Sequence, residues 1–361
     1  MAEQQLASPE ELVGRLFEAA IGGIDILSVY LGEKLGYYQS LDASGPATPG
    51  ELAQRTGTHP RYAQEWLEQQ ATTQILAVDD PTAPAEQRRY SLPEGYADVL
   101  VNPLSPAFVA PMGRFLKVMG ACAEKVLEVY RNGNGLSWGD MGADAREAQA
   151  AFNRPFYAGD FIDGYLKKIP GLDAALAAPG ARVAEIGPGG GWALIALAQA
   201  FPAVTAEGFD LDEASVDMAR ANVAAAGLAD RVSVHCQDAA RASGEGKYDL
   251  VMALECIHDM SNPVGVLRTM KALAKPGGTV LVMDERVGER FGAFGDPIER
   301  LMYGASIFIC LPDGMSAQPS AATGTVMRPS TLRRYAVDAG FADIEVLPLE
   351  HDLFRFYRLV S

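Results

Sequence analysis

Apolar residues near the start of the chain recur at helical spacing: Leu12, Leu16, Phe17, Ala20, Ile24, Leu27 and Leu31 share one stripe, which predicts a helix over residues 8–35. Ser8, Pro9 and Glu11 mark its start, with a capping hydroxyl, a proline in the first turn and an acid three residues after the cap. The Gly22–Gly23 pair is a candidate bend or close-approach point. Thr48 then caps a short helix that runs to Arg55 and stops at Gly57, and a second helix begins at Pro60. With "ILAVDD" and "RRYSL" as two short strands, the segment reads as a winged helix-turn-helix.

The pattern changes near residue 180. "RVAEIG", "VTAEGFD", "VSVHCQD", "YDLVMALEC" and "TVLVMDE" read as strands, interleaved with helical stretches such as "GWALIALAQAFP" and "DEASVDMARANVAAAG". Such alternation predicts a parallel sheet covered by helices on both faces. The tail, "STLRRYAVDAGFADIEVLPLEHDLFRFYRLV", adds a helix and two strands able to pair as an antiparallel edge. The expected fold class is therefore α/β: a Rossmann-like, doubly wound, mostly parallel seven-stranded sheet, preceded by an α-rich winged-helix domain. Three segments are expected: 1–104, the first helix and winged helix; 105–175, a helical linker; and 176–361, the α/β domain. The linker carries the aromatic-rich "AFNRPFYAGDFIDGYLKKIPGL", placed to cover a cleft.

Composition narrows the partners. The 361 residues carry 30 Lys and Arg against 46 Asp and Glu, a net charge of −16, which argues against nucleic acid as the main ligand. The second helix of the helix-turn-helix, Arg61 to Ile75, holds one Arg and two Glu and lacks the basic stripe of a DNA reader. The cysteines Cys122, Cys236, Cys256 and Cys310 lie far apart, the usage of buried, reduced thiols without a disulfide framework or zinc site. No long apolar run or leader-like start appears, so no membrane association and a cytoplasmic location are expected. No His or Cys pair has ligand spacing, so no metal is expected.

Candidate chemistry centres on "VAEIGPGGGWALIALAQAFP", residues 183–202. Gly187, Gly189, Gly190 and Gly191 form the first strand-to-helix turn, where a doubly wound sheet binds its ligand. A dinucleotide fingerprint requires glycine or alanine at 192, and this chain has Trp192. The acids at the strand ends are more informative. Glu185 would repel a pyrophosphate but attract an ammonium group. Asp210, closing the second strand, is placed to accept ribose hydroxyls, and Asp238, closing the third, to meet an adenine amino group. An amine, a ribose and an adenine without phosphate describe S-adenosylmethionine.

On these residues the chain resembles the class I S-adenosylmethionine-dependent methyltransferases. "EIGPGGG", "GFD", "QDA", "YDLVMALECIHDM" and "LAKPGGTVLVMDE" resemble that family's motifs in order, with Glu185 where Asp is commoner and Pro188 inside the glycine loop. The winged helix and the stretch "ERLMYGASIFICLPDG" make the whole chain similar to bacterial methyltransferases with an N-terminal winged helix and to plant-type O-methyltransferases. The resemblance implies cofactor contacts at Glu185, Gly187, Gly189, Gly191, Asp210, Leu211, Asp238, Ala239 and Glu255, with S-adenosylhomocysteine as product. It implies His258 as the base, since His258 alone among the four histidines follows the fourth strand, in "ECIHDM"; Asp284 would orient it, with Glu285 as substitute and Met260 replacing the family's Trp. Phe156, Tyr157, Tyr303, Phe308 and Met315 are the expected walls of an apolar or aromatic small-molecule pocket. The winged domain is expected to form a homodimer and to wall that pocket. Oxygen is the favoured acceptor atom. Alternatives are carbon or nitrogen methylation with His258 positioning the acceptor, a cofactor-sensing DNA-binding regulator, and a cofactor binder whose chemistry is a rearrangement.

Overall fold

The computed structural model describes residues 6–242, 246–292 and 296–361. The chain divides into two units, Met1–Gly120 and Ala121–Ser361. The division falls within the helix Met112–Asn132.

In the first unit the helix Pro9–Lys34 begins with the capping box read from Ser8 and Glu11, and runs without interruption through Gly22 and Gly23. The helices Pro49–Thr56 and Pro60–Thr72 form the helix-turn-helix. Thr48 and Glu51 make a second capping box, Gly57 ends the first helix at φ 68°, and the His59 side chain accepts from Arg61 N to start the next. The wing is minimal: β1 (Ala77–Val78) pairs antiparallel with β2 (Tyr90–Ser91). Trp66 anchors the core, with Tyr37 and Tyr38 edge-on at 4.8 and 5.1 Å and its indole N–H donated to Ser28 O at 2.8 Å. Arg61, Arg88 and Arg89 are held by Glu65, Glu68 and Glu51 respectively, so these cations are neutralised locally. The helix Pro9–Lys34 leaves its apolar stripe in water: Leu16, Phe17 and Ile24 are 63%, 65% and 60% exposed.

The second unit holds the seven-stranded sheet: β3 (Arg182–Ile186), β4 (Thr205–Asp210), β5 (Val232–Cys236), β6 (Tyr248–Leu254), β7 (Ala274–Glu285), β8 (Asp343–Val346) and β9 (Phe354–Val360), in the order β5-β4-β3-β6-β7-β9-β8. Strands β3 to β7 run parallel, and β9 runs antiparallel to both β7 and β8. Central β6 is buried at every position, as a strand covered on both faces must be. Alternate residues feed two cores: Val183, Leu250 and Leu281 pack on one face, Ala184, Val251 and Val282 on the other. The expected strand "TVLVMDE" begins five residues earlier, at Ala274, because the helix Pro263–Leu273 ends before Pro276 and Gly277. Two π-helical turns, Phe161–Tyr165 and Ser306–Cys310, have no counterpart in the sequence reading. Among the cysteines Cys122 and Cys310 are buried, whereas Cys256 is half-buried and Cys236 lies exposed at the edge strand, against the expectation of four buried thiols. No helix among the described residues is long and apolar enough to cross a membrane.

Candidate active site

The glycine turn follows β3 and is met by the carboxyl end of β4, through Phe209 O and Asp210, and by Cys256 just after β6. Glu185 is 2% exposed, and its Oε2 has no hydrogen-bond partner among the described residues. Burial, then the charge of Asp210, pushes its pKa up to about 8. Asp210 ends β4, and its two oxygens accept separate backbone donors, Asp212 N at 2.9 Å and Gly189 N at 3.3 Å. Gly189 reaches Asp210 at φ 50°, a conformation that favours glycine. A Cβ at Gly187 would stand 3.0 Å from Cys256 Sγ, so the turn also needs a residue without a side chain on that flank.

A narrow cleft separates the glycine turn from the helix Ala143–Ala158. Arg146, Gln149, Asn153 and Tyr157 face it from the helix, and Glu185, Gly187, Gly189 and Glu255 from the sheet. Glu255 sits at φ 57°, a strained position for a residue with a side chain. Tyr157 Oη donates to its Oε1 at 3.2 Å, and Gln149 Nε2 lies 3.5 Å from its Oε2. Burial, then Glu285, pushes the Glu255 carboxyl up to about 8. A buried Glu185 oxygen without a partner among the described residues, a glycine turn without side chains and a carboxylate with both oxygens on backbone donors fit a cationic nucleoside.

Beyond the cleft lies an acid–base cluster. His258, on the short turn Ile257–Asp259 after β6, is 2% exposed. Its Nδ1 stands 2.9 Å from Asp284 Oδ1 and 3.1 Å from Glu285 Oε2, while its Nε2 faces Asp259 Oδ1 at 3.3 Å. Burial alone lowers the His258 pKa, but Asp259, Glu285 and Asp284 outweigh it and lift it well above its ordinary value. Burial raises Glu285 to about 7. Cys310, from the second π-helical turn, completes the surroundings, its thiol pushed by burial to about 12. Asp313 accepts Trp138 N at 2.7 Å and is raised to about 7 by burial and by Asp259. Ligand-type atoms of His258, Asp259 and Cys310, and of His258, Asp284 and Glu285, lie within 4.8 Å of one another, near enough to hold one small cation.

The remaining candidates are dispersed. Gly191, Leu211, Asp238 and Ala239 do not line the cleft, and Asp210 stands behind its lining residue Gly189. Leu211 is 72% exposed, and Asp238 caps the turn Ala239–Arg241 through Ala240 N at 2.9 Å while pairing with Arg241 at 3.4 Å. Tyr303 accepts from Arg328 at 3.3 Å, and Phe308 and Met315 are half-buried on the segment after β7; none of the three lines the cleft. Phe156 does not line the cleft. Its ring packs against Tyr165 at 5.3 Å, His351 at 5.0 Å and Phe354 at 5.6 Å, because aromatic area is satisfied there by edge-on contacts in the core. Tyr157 reaches the cleft, but through its hydroxyl on Glu255. Arg146, Gln149, Cys310 and Asp313 escaped the sequence reading, since only chain folding brings them near the strand ends.

Comparison with known proteins places this geometry. Residues 161–346 match the family described as "Methyltransferase domain", and residues 24–102 match the "Rv2258c-like winged HTH domain". The ubiquinone biosynthesis O-methyltransferase of Stutzerimonas stutzeri (strain A1501) is 29% identical over 190 residues, 52% of this chain and 76% of that protein. The mitomycin 7-O-methyltransferase MmcR has the same fold, with a TM-score of 0.68 at 21% identity over 98% of this chain and 97% of that one. The N,N-8-amino-8-demethyl-D-riboflavin dimethyltransferase RosA from Streptomyces davawensis also shares it, with a TM-score of 0.60 at 18% identity over 97% and 99% of the two chains. The chain therefore belongs to the methyltransferase-domain family, as a class I S-adenosylmethionine-dependent methyltransferase carrying an N-terminal winged helix-turn-helix domain.

Proposed function

We propose that this enzyme methylates an oxygen atom of a small, partly apolar molecule, with His258 as the base. The observation that carries this reading is the 2.9 Å contact between His258 Nδ1 and Asp284 Oδ1. Asp284 accepts the Nδ1 proton, fixes the imidazole ring and leaves Nε2 as the basic atom. Glu285 and Asp259 raise the basicity of that nitrogen further. S-adenosylmethionine supplies, when bound, an electrophilic methyl carbon on a positively charged sulfur. Glu185 would hold its amino group and Asp210 its ribose hydroxyls, with Asp238, flanked by Leu211 and Ala239, toward the adenine. Glu255, held by Tyr157 and Gln149, would bound the methionine end. We keep the division into 1–104, 105–175 and 176–361 as a reading of roles, supported in the middle segment by Arg146, Gln149 and Tyr157 on the cleft.

A second reading rests on the same cluster. An imidazole surrounded by three carboxylates keeps its proton at neutral pH, so His258 would position a nitrogen or carbon nucleophile as a hydrogen-bond donor. His258→Ala separates the two. A base predicts a loss of about 10²–10⁴-fold in kcat with S-adenosylhomocysteine affinity intact. Unchanged turnover removes the base.

We also propose a homodimer formed through the helix Pro9–Lys34. Its row of exposed Leu16, Phe17, Ile24 and Leu31 supports this reading, since a contiguous apolar stripe in water marks an association surface.

A further inference from the structure

We propose that Arg146 is a positioning residue for the cofactor's ribose, acting through Asp212 on the carboxylate of Asp210. This rests on the reading of Asp210 as the ribose acceptor. Arg146 stands on the helix Ala143–Ala158 and grips Asp212 with both arms of its guanidinium: Nε to Oδ2 at 2.5 Å and Nη2 to Oδ1 at 2.7 Å. The two side chains are 12% and 15% exposed, so water competes little for the pair. A third bond, Nη2 to Gly139 O at 3.3 Å, fixes the guanidinium from its own side of the cleft.

Asp212 has a structural duty that does not need an arginine. It caps the helix Glu213–Ala225 by accepting from Ser215 N at 2.8 Å and Ser215 Oγ at 2.7 Å. The arginine therefore adds a constraint beyond the cap. That constraint reaches Asp210, because the backbone N–H of Asp212 donates to Asp210 Oδ1 at 2.9 Å while Gly189 N takes Oδ2 at 3.3 Å. A carboxylate offers about four acceptor sites, so beyond its backbone donors Asp210 keeps acceptor capacity for a ligand hydroxyl, in a direction set in part by where Asp212 stands. Asp210 also adds to the field that holds Arg146 charged, while its own burial favours the neutral, weaker-accepting carboxyl. One guanidinium thus links the covering helix to the orientation of the ribose acceptor.

The test is a thermodynamic cycle by titration calorimetry on the full chain, with S-adenosylhomocysteine and its 2′-deoxy and 3′-deoxy analogues as probes. In the wild type, removing a hydroxyl should weaken binding by about 10–100-fold, as for a hydrogen bond to a charged acceptor. In Arg146→Ala the parent compound should bind about 10-fold or more weakly, and hydroxyl removal should then cost less than about 3-fold. Arg146→Lys, which cannot fork, should fall between. Asp212→Asn keeps the helix cap while losing the ion pair, so it should reproduce the alanine result in a folded protein. A deletion penalty equal in the wild type and in both Arg146→Ala and Asp212→Asn would overturn the proposal and leave the cofactor reading standing. If the wild type binds the parent and both deoxy analogues equally, Asp210 does not hold the ribose and both ideas fall.

Discussion

Nε2 of His258 stands 3.3 Å from Oδ1 of its chain neighbour Asp259, so the nitrogen that would take a substrate proton faces a carboxylate of its own turn. That carboxylate stabilises the imidazolium form, and a base acts only when it is neutral. Turnover should accordingly rise with pH through a His258 pKa well above the ordinary value. Asp259→Asn removes one negative neighbour and should move the rising limb of the kcat profile down by about one pH unit or more. A profile that does not move under this substitution would remove Asp259 from the control of the base.

Glu185 gives a second pH signature, in binding. Its folded, ligand-free carboxyl is raised to about 8 and is therefore protonated at neutral pH. Pairing with an ammonium requires the ionised form, so cofactor binding should release a proton. Affinity should then increase with pH and level off above about 8. Calorimetry in buffers of different ionisation enthalpy measures the proton directly. The same shift makes the ligand-free fold less stable as pH rises from 4.5 toward about 8, because in that window the folded state binds the proton and the unfolded chain does not.

Gly32 tests the packing of the first unit. In a helix interior, replacing glycine by alanine ordinarily stabilises by about 1 kcal/mol. Here a Cβ would overlap the Trp66 ring and lie 2.7 Å from Tyr38 Cε2. Overpacking of that kind costs about 1–3 kcal/mol, so Gly32→Ala should lower the unfolding midpoint. Thermal or urea unfolding decides the sign.

The dimer is tested on its proposed face. Phe17→Asp together with Ile24→Asp places two charges on the exposed stripe of the helix Pro9–Lys34. Light scattering should give a dimer mass for the wild type and a monomer mass for the variant, with helical content unchanged. A monomeric wild type at micromolar concentration would refute the interface.

Much of the fold was legible because its signals are local. Ser8 and Glu11, Thr48 and Glu51, and Gly57 specify helix ends from their own neighbours, and each does so in the structure. The alternation of strands with helices after residue 180 fixed the doubly wound class, and the glycines and acids pointed to the strand ends where the cleft lies. The strand order, the two π-helical turns and the early start of β7 depend on how elements pack and leave no local trace.

By itself, the sequence determined most helices and strands, the glycine turn and the identity of the acids, because capping, periodicity and charge are properties of neighbouring residues. The meeting of Asp284 with His258 was expected from the resemblance, whereas only the tertiary structure decided that Glu255 meets Tyr157 and Asp212 meets Arg146. It also packed the half-buried Phe156 against the aromatic rings of the core. Burial and the partners met across long chain separations set each group's charge and direction, and neither can be read from spacing along the chain.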